Sequence, residues 1–210
     1  WCDTSLAEAI RGPRIFFQEA LPGGPTWRDV QRLIARMDTD RPRDIRDRAA
    51  VMLCAIYGLR ANEVVKLRLK DIDWERDLIS ISRTKQRRSQ IYPLVPVVGN
   101  AIIKYLQTVR PESSRQEVFL TFKAPVGPIS QGILHHSISR QIAALGIHAP
   151  HVGPHSLRHA CATHLVHQGF SLKEIGDHLG HRSPISTRVY AKVDLPSLRE
   201  VAAFDLGGLR

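Results

Sequence analysis

Cysteine is scarce in this chain, long apolar runs are missing, and the loops that commonly hold a nucleotide or a metal are absent. The three cysteines, Cys2, Cys54 and Cys161, are far apart and odd in number, which argues against a disulfide framework and for a reducing, intracellular setting. No apolar stretch approaches the ~20 residues that cross a bilayer, so a membrane role is not expected. The opening starts on Trp1 and has neither the basic start nor the apolar centre of a signal peptide; the chain reads as a piece of a longer one. There is no Gly-rich phosphate loop ending in Lys-Ser or Lys-Thr, no group of carboxylates arranged for magnesium, and no internal repeat.

Acidic residues are also in deficit. Against 30 Lys and Arg stand 20 Asp and Glu, a net charge of +10 with a pI of about 10.1. That balance favours a polyanionic partner such as nucleic acid, with plain solubility as the alternative. At 210 residues, 43% of them hydrophobic, the chain suits one well-buried domain with at most an appendage.

Breakers at Gly12-Pro13 and Leu21 to Pro25 mark residues 1–24 as a linker. Thr26, with Asp29 three residues on, forms a capping box for a helix whose apolar face is Trp27, Val30, Leu33, Ile34 and Met37. A second helix follows Pro42 and stops at Gly58. Directly after that stop stand Leu59-Arg60-Ala61-Asn62-Glu63 and a helical turn carrying Val64 and Leu67. An arginine at such a junction is positioned by packed elements yet free to point outward, and Glu63 can share its helical face. On its own this arginine would be taken for a solvated surface residue.

Residues 77–82 and 90–95 each alternate apolar and polar, which predicts a small antiparallel hairpin whose basic tip is Arg83-Thr84-Lys85-Gln86-Arg87-Arg88. A helix is predicted from Asn100 until Pro111, then loop around the apolar Val118-Phe119-Leu120, then a helix through Leu134, Ile138 and Ile142 closed by Gly146. Beyond a turn, helices are expected from Ser156 to His167, from the capping box Ser171 to Glu174 until Gly180, and as a short piece after Ser183-Pro184. Leu195 to Phe204 has the pattern of one more amphipathic helix.

The chemistry-bearing stretch is HSLRHACATHLVHQGFSLKEIGDHLGHRSPISTRVY, His155 to Tyr190. It contains an arginine three residues after a histidine (His155, Arg158), the pair Gly180-His181, and Tyr190 a short helix later. Arginine offers planar, bidentate donors to phosphate oxygens. Histidine can take or give a proton near neutral pH. A tyrosine with a pKa of about 10 needs such neighbours before it can attack a phosphodiester.

With Gly58-Leu59-Arg60-Ala61-Asn62-Glu63-Val64, Arg83-Thr84-Lys85, His155-Ser156-Leu157-Arg158-His159, Leu179-Gly180-His181 and Val189-Tyr190 in this order, the chain resembles the catalytic domain of the tyrosine recombinase, or phage integrase, family over roughly residues 26 to 195. The resemblance implies a mainly α fold with a small antiparallel β-sheet (α+β), the DNA breaking-rejoining catalytic-domain fold, in residues 25–210. An N-terminal DNA-binding domain would precede the linker. It implies that Tyr190 attacks the scissile phosphate to give a 3′-phosphotyrosyl intermediate, and that Arg60, Arg158 and His181 hold the phosphate. Lys85 would protonate the departing 5′-oxygen, His155 would assist the tyrosine proton transfer, and Glu63 would orient its neighbours. No metal, cofactor or ATP is then required. The partners implied are double-stranded DNA and further copies of the chain, four on two DNA sites. The implied setting is the bacterial cytoplasm, at the nucleoid.

Two features sit less easily with the family pattern. The hairpin lysine is often framed as Gly-Lys-Gly, whereas here the tip is Arg-Thr-Lys-Gln-Arg-Arg. The N-terminal domain that would close a clamp on DNA is represented by its linker at most. The alternatives are a DNA-binding module without catalysis, a type IB topoisomerase-like activity that relaxes DNA, and a zinc site at His155, His159, Cys161 and His164. The last is disfavoured because no Glu follows the first histidine and an arginine lies between the pair.

Overall fold

The computed structural model describes residues 24–83, 88–149 and 151–180, with the backbone alone at 88. The linker, the hairpin tip with Lys85, and everything from His181 onward, including Tyr190 and the two helices expected there, lie outside the described residues.

Helix α1, Trp27–Arg36, begins where the capping box predicts: Thr26 Oγ1 accepts from the Asp29 N–H while the Asp29 carboxylate accepts from the Thr26 N–H. Its buried face is Val30 and Leu33. Helix α2, Pro42–Ile56, starts on the proline, whose fixed φ and missing N–H suit a first turn. It is the central element, buried along nearly its whole length from Asp44 to Ala55. A helix so enclosed must satisfy its polar side chains internally. Arg46 does so by pairing with Asp47 at 2.7 Å and donating to the Leu120 carbonyl at 3.1 Å.

After the short α3, Ala61–Val65, and a 3-10 turn, the chain forms β1 (Ile72–Asp73), β2 (Leu78–Arg83) and β3 (Arg88–Pro93). They make one antiparallel sheet in the order β1-β2-β3. The register pairs Ile79 with Tyr92 and Arg83 with Arg88, so Ile79, Ile81 and Arg83 share the buried face. The hairpin is where the alternation predicts it, but two details differ. β1 has too few residues to show a period, and Arg83, expected in the solvated tip, belongs to β2 and is only 2% exposed.

Helix α4, Pro96–Thr108, starts four residues before the expected Asn100, with Pro96 in its first turn. The apolar Val118-Phe119-Leu120 is fully buried. Its backbone bonds go to Leu67 and Ile129, as Val118 N–H to the Leu67 carbonyl at 2.8 Å and Ile129 N–H to the Phe119 carbonyl at 3.0 Å. Helix α5, Gln131–Ala144, is capped by Ser130; α6 runs Pro154–His167. Helix α7, Leu172–Leu179, has the predicted Ser171 capping box and the left-handed Gly180 as its C-cap.

The main core joins α1 to α6 and the sheet. Helix α7 meets α6 in a separate small cluster of Cys161, Ala162, Val166, Ile175 and Leu179. The architecture is therefore mainly helical with one small antiparallel sheet, as expected. No described helix is long and apolar enough to cross a membrane.

Tyr105, fully buried, accepts the Leu120 N–H on its hydroxyl at 3.0 Å. Tyr105→Phe leaves that N–H buried without an acceptor and is expected to destabilise the protein by about 1–3 kcal/mol. Chemical denaturation checks this; an unchanged midpoint would mean that water replaces the hydroxyl.

Candidate active site

The α2–α3 junction is built around close approach. Gly58 has φ +59°, and a Cβ there would stand 2.4 Å from Leu179 Cδ2, so glycine meets both the backbone and the packing requirement. Two residues later Arg60 N-caps α3. Its backbone N–H donates to Glu63 Oε2 and its Nη1 to Glu63 Oε1, both at 2.9 Å. The Glu63 side chain is 6% exposed and that of Arg60 is 46% exposed. The carboxylate is thus held inside while the guanidinium reaches the surface of a cavity. Behind it, Arg83 Nη1 approaches the same Oε1 at 3.3 Å, so one buried negative charge serves two guanidiniums.

Helix α6 brings the second arginine. Its first turn begins after Gly153, φ +106°, where a Cβ would stand 2.5 Å from His135 Cδ2. Arg158 is 4% exposed. It donates through Nη1 to the Gly58 carbonyl and through Nη2 to the Leu179 carbonyl at 2.8 Å, tying the end of α2 to the end of α7. His155 and His159 lie one helical turn apart with their Nε2 atoms 2.9 Å from each other. Burial, then the Arg158 charge, then His151 hold the His155 imidazole below its usual range. Burial, then His155 and Arg158, push His159 down to about 4.

Arg60, His155 and Arg158 line one cavity of about 810 Å³, together with Gln131, His135 and His151. Of the residues singled out in the sequence, these three are brought to one space and Glu63 supports Arg60 from below. Lys85, His181 and Tyr190 lie outside the described residues. Cys161 and His164 of the hypothetical zinc set face elsewhere. Cys161 Sγ is 3.5 Å from the Ile56 carbonyl, and His164 stacks on Trp27 with ring centroids 4.2 Å apart. Burial pushes the Cys54 and Cys161 thiols up to about 12, so neither is a thiolate nucleophile near neutral pH.

Sequence reasoning missed His135 and His151 in the cavity wall, which carry no motif. It also missed the burial of Arg83, for which a signal existed: Arg83 continues the i, i+2 pattern of Ile79 and Ile81.

A family model described as the phage integrase family matches residues 26–195. A Sinorhizobium fredii protein that carries the name integrase/recombinase y4rA is 43% identical over 178 residues, covering 83% of this chain and 42% of its own. Tyrosine recombinase XerC of Chlamydia pneumoniae is 33% identical over 195 residues, covering 90% of this chain and 60% of its own. Among solved structures, the XerH site-specific recombinase bound to palindromic difH substrate, in a post-cleavage complex, superposes with a TM-score of 0.74 at 23% identity, over 88% of this chain and 54% of that one; at that identity the likeness is one of fold. The chain spans about half the length of these relatives.

The lowered histidines give a stability signature. A histidine that stays neutral in the fold but has a pKa of about 6.5 unfolded contributes fully above that pH, and the contribution is lost as pH falls toward its folded value. For His159 that window runs from about 6.5 down to about 4. Melting temperature should therefore fall across this range in the wild type and less steeply in His159→Gln; parallel curves would mean that His159 is not held neutral.

Proposed function

Because the chain belongs to the phage integrase family, we propose that it cleaves and rejoins DNA at specific sites through a covalent tyrosine intermediate. The observation that carries the reading is the cavity of Arg60, His155 and Arg158. Arg60 and Arg83 share the single carboxylate of Glu63, and Arg60 and Arg158 line the cavity with no carboxylate among its described lining residues. Positive charge thus outweighs negative around a space large enough for a phosphodiester, which favours an anion there.

In this reading Tyr190 Oη attacks the scissile phosphorus. A P–O bond to tyrosine forms, the bond to the 5′-oxygen breaks, and a 3′-phosphotyrosyl link results. His155 takes the phenolic proton; its depressed basicity keeps it neutral at pH 7 and hence able to accept. Lys85 gives a proton to the leaving 5′-oxygen. Arg60, Arg158 and His181 hold the non-bridging oxygens, and Glu63 fixes Arg60. Attack by a 5′-hydroxyl of another strand reverses the step with the same bonds exchanged, so phosphodiester energy is kept and neither ATP nor metal is consumed.

The partner is double-stranded DNA, bound by four copies of the chain on two sites, in the cytoplasm at the nucleoid. Residues 25–210 act as the catalytic domain, with residues 1–24 leading from an N-terminal DNA-binding domain.

The test is covalent capture. The protein is incubated with nicked duplexes of randomised sequence, denatured, and the protein-linked DNA recovered. Linked DNA is expected with wild type, to persist in EDTA, and to vanish in Tyr190→Phe. Relaxation of any supercoiled plasmid without sequence preference would instead indicate a topoisomerase-like activity. DNA binding with no linked product would indicate a module without catalysis. Arg60→Gln, at a half-exposed position, is expected to slow capture by about 100-fold to 1,000-fold with folding retained; a loss under 10-fold would remove Arg60 from the phosphate grip.

A further inference from the structure

Helix α7 is joined to the molecule in an unusual way. Its apolar side packs on α6 and, through Leu179, against Gly58, and its C-terminal carbonyls are held by polar side chains from the sheet as well as by Arg158. Arg83 Nη1 donates to the Leu179 carbonyl at 2.7 Å, Gln90 Nε2 to the Asp177 carbonyl at 2.8 Å, and the Tyr92 hydroxyl to the His178 carbonyl. The last carbonyls of a helix have no partner within it and carry its negative dipole end, so a guanidinium is well suited to hold them. Arg83 also donates through Nη2 to the Tyr92 hydroxyl and approaches Glu63 Oε1 at 3.3 Å. Gly180 lies directly against it: a Cβ there would stand 2.3 Å from Arg83 Cζ. A single buried side chain therefore touches the carboxylate that fixes Arg60 and the helix end that His181 follows.

We propose that Arg83 is a positioning residue for the phosphate site, setting Arg60 through Glu63 and the Gly180 end of α7 through the Leu179 carbonyl. This rests on the reaction proposed above. Arg83 does not reach the cavity lined by Arg60, His155 and Arg158, so it acts on substrate only through its neighbours. Its planar fork is what the task needs: one nitrogen addresses carboxylate and carbonyl while the other addresses the hydroxyl. A lysine ammonium cannot span these acceptors in one plane.

The test compares Arg83→Lys and Arg83→Met with wild type in two readouts. The first is the rate of covalent capture together with DNA affinity, on an ordinary substrate and on one whose leaving 5′-oxygen is replaced by sulfur. The sulfur leaves without a proton donor. Capture is expected to slow by about 100-fold in both variants while DNA affinity stays within about 3-fold of wild type. The sulfur substrate should restore Lys85→Ala but not the Arg83 variants. Wild-type rates in a folded Arg83→Lys, full restoration by sulfur, or affinity falling in step with rate would each overturn the proposal. The second readout needs no activity: amide hydrogen exchange at residues 177–180 should quicken in the variants while α2 stays protected, and unchanged exchange there overturns the proposal as well. If wild type captures no DNA, the reaction itself fails and hydrogen exchange still decides the coupling. Should Arg83→Met not fold, Arg83→Lys carries both readouts.

Discussion

Two buried guanidiniums meet at one backbone oxygen. The Leu179 carbonyl accepts from Arg83 at 2.7 Å and from Arg158 at 2.8 Å, and much of the surrounding geometry follows from that shared acceptor. Guanidinium is never deprotonated in a protein, so each must find enough partners to offset its lost hydration. The end of α7 supplies orphaned carbonyls, Glu63 supplies charge, and the Gly58 carbonyl accepts from Arg158. Glycines at 58 and 180 are then needed on both sides. A Cβ at Gly58 would collide with Leu179, and one at Gly180 with Arg83.

The same arrangement separates the roles of the cations. Arg83 is spent inside, on carbonyl, carboxylate and hydroxyl, whereas Arg60 keeps nearly half of its side chain exposed toward the cavity. Because Glu63 Oε1 lies between them, any shift of one guanidinium is felt by the other. The histidines on α6 complete the electrostatics. With Arg158 one turn after His155 and directly before His159, both imidazoles are held below their usual range, so the cavity carries its positive charge on guanidiniums and a proton acceptor on His155.

Local order was largely legible. The capping boxes at Thr26 and Ser171, the glycine stops at 58 and 180, and the hairpin alternation rest on contacts within a few residues, so the sequence carries them directly. The start of α4 was misjudged by four residues because Pro96 reads equally as the end of a strand or the first turn of a helix. The two-residue β1 shows no period, and its pairing Ile72 with Ile79 exists only once β2 has folded beside it.

Of the site, the sequence by itself determined the order and chemical type of the parts: arginine, glutamate and the His-x-x-Arg pair, each on a junction or helix it could be assigned to from neighbours. What only the tertiary structure decided is which cations lose their water. Arg83 and Arg60 look alike in a string of letters, one in a basic hairpin and the other after a glycine. The partner that buries Arg83 lies 96 residues away on α7; burial is set by such distant contacts, and desolvation, not the presence of charge, separates a guanidinium that holds the scaffold from one left facing the cavity.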